Sequence, residues 1–135
     1  MNDNILQTDF FNLVYSKTWN YKLIDNTTHT FYNSEGLGAF QISCYSKDKT
    51  LAPFNLSDEQ REYKDSIIKK YGENEVIQWT SSTSINTHRI INWLIGKKHT
   101  ILYCTYAISE IDIDKKDFKE ELRRIHEILE SIEIH

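Results

Sequence analysis

A chain of 135 residues with 39% hydrophobic and 27% charged side chains is the size of one domain built around one shared core. Its formal charge of -4, from 20 acidic against 16 basic side chains, comes without any stripe of Lys and Arg that could neutralise phosphates, so no nucleic-acid partner is expected. No segment reaches the roughly 20 apolar residues of a membrane helix, because Asn92, Gly96 and the Lys97-Lys98 pair break the longest candidate, so no membrane span is expected either.

The opening Met1 to Asp9 carries acids and amides where a secretory signal needs a basic start and an apolar run, and a cytoplasmic protein is the expectation. Short apolar and aromatic runs follow between turn residues: Phe10 to Tyr15, Trp19 to Ile24, His29 to Tyr32 and Ala39 to Ser46. They read as a β-meander, with Asp25-Asn26-Thr27-Thr28 in one connection and Asn33 to Gly38 in the next, since Asn and Gly tolerate the backbone of tight turns. In the run Ala39 to Ser46, Phe40, Ile42 and Cys44 alternate with Gln41, Ser43 and Tyr45, the two-residue period of a strand with one face on a core.

The segment Lys47 to Pro53 holds the one proline and reads as a loop. Ser57-Asp58-Glu59-Gln60 then fits a helical capping box and Gly72 a helix stop, while Tyr63, Ile67, Ile68 and Tyr71 fall at helical spacing between them. The expectation is a surface helix over this segment, lying on the sheet. Three strands are predicted next, Glu75 to Ser82, Asn86 to Ile95 and His99 to Ser109, the last pair joined through Gly96-Lys97-Lys98. Apolar residues on both alternations of the final strand place it at the sheet centre.

Phe118, Leu122, Ile125, Leu129 and Ile132 repeat at spacings of a helical stripe, widened by Ile128, and Asp114 with Asp117 can cap the start. The fold class read from these elements is α+β: a single antiparallel sheet of about six strands flanked by helices, in one domain over 1-135, with a long amphipathic C-terminal helix.

Trp19-Asn20-Tyr21, the stretch Phe31 to Ser43 with its Gly36-Leu37-Gly38 turn, and a terminal helix ending Ile125-His126-Glu127-Ile128-Leu129-Glu130-Ser131-Ile132 together resemble the PsbP-like fold. That fold is shared by a photosystem extrinsic protein, a Ran-binding nuclear-import factor and many bacterial proteins of unknown function. The resemblance implies an antiparallel sheet flanked by helices and a role in binding, and it carries over no catalytic residue.

The sequence holds no phosphate-cradling or nucleophile-elbow motif, and Gly36-Leu37-Gly38 alone is too short to bind a nucleotide. His29, His88, His99, His126 and His135 lack the spacing of metal ligands, and Glu110-Ile111-Asp112-Ile113-Asp114 lacks the glycine and regular spacing of a calcium loop. Cys44 and Cys104 read as free thiols inside strands. No catalytic residue, cofactor or metal is therefore expected, and the chain reads as a non-enzymatic protein-binding or adaptor domain. A bacterial immunity-type protein is the concrete version.

Two candidate surfaces carry that expectation. Lys115 and Lys116 at the start of the last helix, and Glu127, Glu130 and Glu133 toward its end, all oppose the helix dipole, so the three carboxylates are candidates for contacting a basic partner, with Glu120 and Glu121 adding to the acidic inventory. Tyr45, Trp79, Trp93 and Tyr103 lie in strands whose alternations do not assign them all to the core, and they are candidates for an aromatic interface. The alternative function is a sheet cavity for an apolar small molecule, and a third is an enzyme whose acid and base groups converge only in space.

Overall fold

The computed structural model describes residues 3–83 and 87–135, so Asn86, the expected first residue of a strand, lies outside the described residues. Among the described residues, ten strands and two α-helices follow in chain order: β1 Asn4–Gln7, β2 Phe11–Tyr15, β3 Asn20–Ile24, β4 Thr28–Tyr32, β5 Ala39–Ser46, α1 Leu56–Gln60, β6 Ile67–Tyr71, β7 Asn74–Thr83, β8 His88–Lys97, β9 Thr100–Ser109, α2 Lys116–Ser131 and β10 Glu133–Ile134. A 3-10 turn, Glu110–Asp112, leads from β9 toward α2.

The architecture is α+β with two antiparallel sheets, not one of about six strands. Seven strands run in the order β3-β4-β5-β9-β8-β7-β6, and β1, β2 and β10 form a separate small sheet. The strands β5 and β9, expected near the centre, pair along the whole length of β5, from Ala39↔Ala107 to Ser46↔Thr100. The additional pieces, β1 and β10, are short segments that owe their strand geometry to pairing with β2, as in Ile5↔Val14 and Ile134↔Phe11.

The expected helix from Ser57 to Gly72 is a second correction. Only Leu56–Gln60 is helical, with Asn55 as the cap and its side chain accepting from Asp58 N–H; the chain then turns and Ile67–Tyr71 becomes β6. Ile67 and Ile68 are β-branched and suit a strand, and pairing with β7 decides the competition. Gly72, with φ of +60°, opens the two-residue connection between Tyr71 and Asn74, so it is a hairpin turn and not a helix stop.

One face of the large sheet carries the core. Phe31, Phe40, Ile42, Val76, Trp93, Ile95, Leu102, Cys104, Tyr106 and Ile108 pack there with Phe11 and Leu13 of β2 and with Ile125, Ile128 and Leu129 of α2. The small sheet joins this core through rings: Phe11 meets His29 edge-on at 5.3 Å and Tyr15 meets Phe31 at 5.1 Å. In the α2 stripe Ile125 and Leu129 are fully buried, whereas Phe118 and Leu122 are half-buried at its outer end. The α2 N-cap is Lys115 without a side-chain bond, so Asp114 does not cap it. At the other end Asn74 donates to the carbonyls of Leu129 and Ile132 at 2.8 and 2.9 Å, satisfying helix-end acceptors that have no basic side chain in the last turn.

Glu121, expected among the surface acids, is buried in α2. Its carboxylate accepts the backbone N–H of Leu37 at 2.5 Å and of Gly38 at 3.2 Å, and the hydroxyl of Tyr106 at 2.7 Å. Gly36 has no Cβ to collide with that carboxylate, which is why this turn can close on the helix. Its own burial, and after it the bond to Glu121, push the Tyr106 phenol far up, keeping it a donor.

Candidate functional site

The other face of the large sheet is only partly covered, and the alternation along each strand decides what it shows. β5 presents Tyr45, β7 presents Trp79, β9 presents Ile101 and Tyr103, and β8 supplies Leu94 beneath them. The short α1 and the turn after it bring Glu59 and Tyr63 over this surface. These seven residues line a groove of about 330 Å³.

Trp79 lies in the middle of an aromatic run. The Tyr63 ring stacks on it at 4.1 Å and 20°, and Tyr103 lies nearly parallel at 6.1 Å and 16°. Buried Asn92 anchors the run from below: its Nδ2 donates to the Trp79 carbonyl at 3.2 Å, and its Oδ1 accepts from the Tyr103 hydroxyl at 2.6 Å. The Tyr103 ring is therefore held by a hydrogen bond, while the bond to Trp79 fixes its backbone. Burial pushes the Tyr63 phenol up, helped by Glu59 and Glu62, and burial with the neighbouring Tyr63 and Tyr45 pushes Tyr103 up, so both remain protonated donors at neutral pH. Glu59 is the only carboxylate of the groove lining, and the Lys47 ammonium approaches it from outside at 3.9 Å.

Of the four expected aromatics, Tyr45, Trp79 and Tyr103 meet here and Trp93 does not. Trp93 is fully buried on the core face, edge-on to Phe40 at 5.7 Å, and its indole N–H donates to Gln78 Oε1 at 3.1 Å. The pairs Gln78↔Trp93 and Trp79↔Asn92 explain it: adjacent register positions point to opposite faces. Glu59 and Tyr63 were missed as site residues because the expected long helix assigned Tyr63 to a buried stripe. No local pattern marked that the helix stops at Gln60 and leaves Tyr63 beyond it.

The three glutamates are exposed but do not form one free patch. Glu127 Oε1 lies 3.1 Å from Arg124 and its Oε2 3.4 Å from Arg123, and Arg123 also binds Glu120 at 2.6 Å. Glu130 is on the last helical turn, and Glu133 belongs to β10, beside a separate groove of about 520 Å³ that also touches Glu73, Glu75 and Lys97.

Cys44 and Cys104 are unpaired thiols, and burial pushes both up, so neither is a ready thiolate. Among the described residues no group of three or more His, Cys, Asp or Glu is placed to hold a metal ion. Among the described residues no helix is long and apolar enough to cross a membrane.

The fold is PsbP-like. A crystal structure from Bacteroides thetaiotaomicron VPI-5482 superposes with a TM-score of 0.76 at 16% identity, over 100% of this chain and 49% of that one. The solution structure of cyanobacterial PsbP (CyanoP) from Synechocystis sp. PCC 6803 superposes with a TM-score of 0.65 at 4% identity, over 99% of this chain and 93% of that one. The chain thus spans about half the length of the Bacteroides protein. No protein-family model and no curated protein matches the chain. At these identities the likeness shows the fold alone.

Proposed function

We propose that the protein is a non-enzymatic binding domain that docks a protein partner on the aromatic groove of its open sheet face. The observation that carries this reading is Trp79, half-buried between Tyr63 and Tyr103 on the face away from the core, with Tyr45 beside it 55% exposed. Rigid aromatic anchors that lose little freedom on contact are what protein interfaces use as hot spots. An apolar small molecule would require an enclosed cavity, and a groove whose Tyr45 wall faces solvent suits a protein surface better.

Within this reading the concrete version is a cytoplasmic immunity-type protein that neutralises a basic toxin. The thiol state of Cys44 and Cys104 fits a reducing compartment, and the formal charge of -4 favours a basic partner. The test is capture from a lysate of the native organism, with the captured protein identified by mass spectrometry. Trp79→Ala should lose that protein at least about tenfold, the loss of one interface hot spot, while the triple change of Glu127, Glu130 and Glu133 to Gln retains it. Retention by Trp79→Ala with loss by the triple variant would move the interface to the α2 end of the molecule.

A further inference from the structure

We propose that the aromatic groove receives an arginine side chain from a basic segment of the partner, with Glu59 as its counter-ion and Lys47 as a competing cation supplied by the chain itself. The inference rests on the groove being the docking site and adds the chemistry of what enters it. Three observations converge on a planar cation.

The Tyr63, Trp79 and Tyr103 rings lie within 20° and 16° of parallel, giving a layered π surface. A guanidinium is planar and weakly hydrated, and it stacks on exposed faces and edges of aromatic layers of this kind. Glu59, the single charged side chain lining the groove, offers a carboxylate whose side chain is only 24% exposed. A carboxylate beside an aromatic face can accept two parallel N–H bonds from the guanidinium while the rings cover its plane.

Lys47 makes the site self-reporting. Its ammonium stands 3.9 Å from Glu59 Oε1, a long contact that leaves room for better partners, and the Lys47 backbone is tied to His99 by a 2.6 Å hydrogen bond that keeps the side chain near. The chain's own cation is thus drawn to the place where the partner's guanidinium would bind. An arriving arginine displaces it, so removing Lys47 should strengthen binding even though it makes the protein more acidic only by one charge.

The experiment titrates the full chain with N-acetyl-arginine amide and, in parallel, with its neutral isostere N-acetyl-citrulline amide, following the Trp79 indole N–H by NMR with Trp79→Phe to assign it. The arginine probe should shift that resonance and bind about tenfold more tightly than the citrulline probe, the range a desolvated cation–π contact supplies. Glu59→Gln should abolish the tenfold preference, and Lys47→Gln should raise the arginine affinity while leaving citrulline unchanged. Equal affinity for the two probes, or an Arg preference that Glu59→Gln leaves intact, overturns the inference. So does failure of the arginine probe to move the Trp79 resonance at the highest concentration used. The groove reading stands or falls separately: loss of the captured partner by Trp79→Ala but not by Glu59→Gln would mean that the groove docks a protein without reading a cation.

Discussion

Trp93 and Trp79 sit on neighbouring strands, one register step apart, and have opposite fates. Trp93 points into the core face, has no exposed surface, and spends its indole N–H on Gln78. Trp79 points to the open face, where two tyrosines stack on it and Asn92 holds its strand from below, leaving it half-buried. The difference teaches that in a sheet with one packed face an aromatic residue becomes structural or available according to its parity in the register, not according to its type.

The largest effect should come from truncating the two tryptophans in turn. Trp93→Ala should cost about 3–5 kcal/mol by leaving a core cavity, whereas Trp79→Ala should cost about 1 kcal/mol, the worth of its ring contacts on a surface that solvent can refill. Denaturant unfolding of both variants measures the gap. Equal losses would mean that the open face is as structural as the core and would weaken its assignment as an interface.

A middle-sized effect tests how the core face is closed. Glu121→Gln keeps the shape but turns an acceptor into an amide facing the N–H groups of Leu37 and Gly38 and the Tyr106 hydroxyl. The loss should be about 1.5–3 kcal/mol, in the range of hydrogen bonds to charged groups, and amide exchange at Leu37 and Gly38 should accelerate with it. An unchanged midpoint would mean that the turn closes on the helix without this carboxylate.

The smallest effect is a pH dependence confined to the core side. Burial lowers the pKa of His29, and burial together with the Lys69 ammonium lowers that of His126 against an opposing pull from Glu130. Both imidazoles are therefore easier to protonate in the unfolded chain, which binds more protons once the pH falls below the ordinary value of 6.5. Stability should hold above 6.5 and decline as the pH falls through the lower folded values. The His29→Gln, His126→Gln double variant should flatten that part of the profile in thermal unfolding measured from pH 7 to about 5, the interval in which histidines titrate. A wild-type profile as flat as the variant's would remove both groups from the linkage.

Much of the sheet was legible because its strands carry their own period. Ala39–Ser46 alternates so cleanly that its bounds and its core face follow from local pattern, and the apolar spacing of α2 is equally self-sufficient. The segment after Pro53 was misread because two local signals agreed on the wrong answer. Ser57 to Gln60 resembles a cap, and Ile67, Ile68 and Tyr71 sit at helical spacing, yet their β-branched character and the Gly72 turn serve the hairpin with β7. The candidate site suffered with it, since Glu59 and Tyr63 reach the groove only when the helix stops at Gln60.

By itself the sequence determined the PsbP-like α+β class, the meander of β3 to β5, the β8–β9 hairpin and the amphipathic last helix, because periodicity and turn chemistry act over a few neighbouring residues, whereas β2, expected in the same meander, pairs instead with β1 and β10. Tertiary structure alone decided that β1 and β10 are strands, that Glu121 is buried against a glycine turn, and that Tyr45, Tyr63, Trp79 and Tyr103 face outward together while Trp93 does not. Those outcomes depend on which residues are brought opposite one another from distant parts of the chain, and strand register and helix docking are set by the packing of the whole core rather than by any local run.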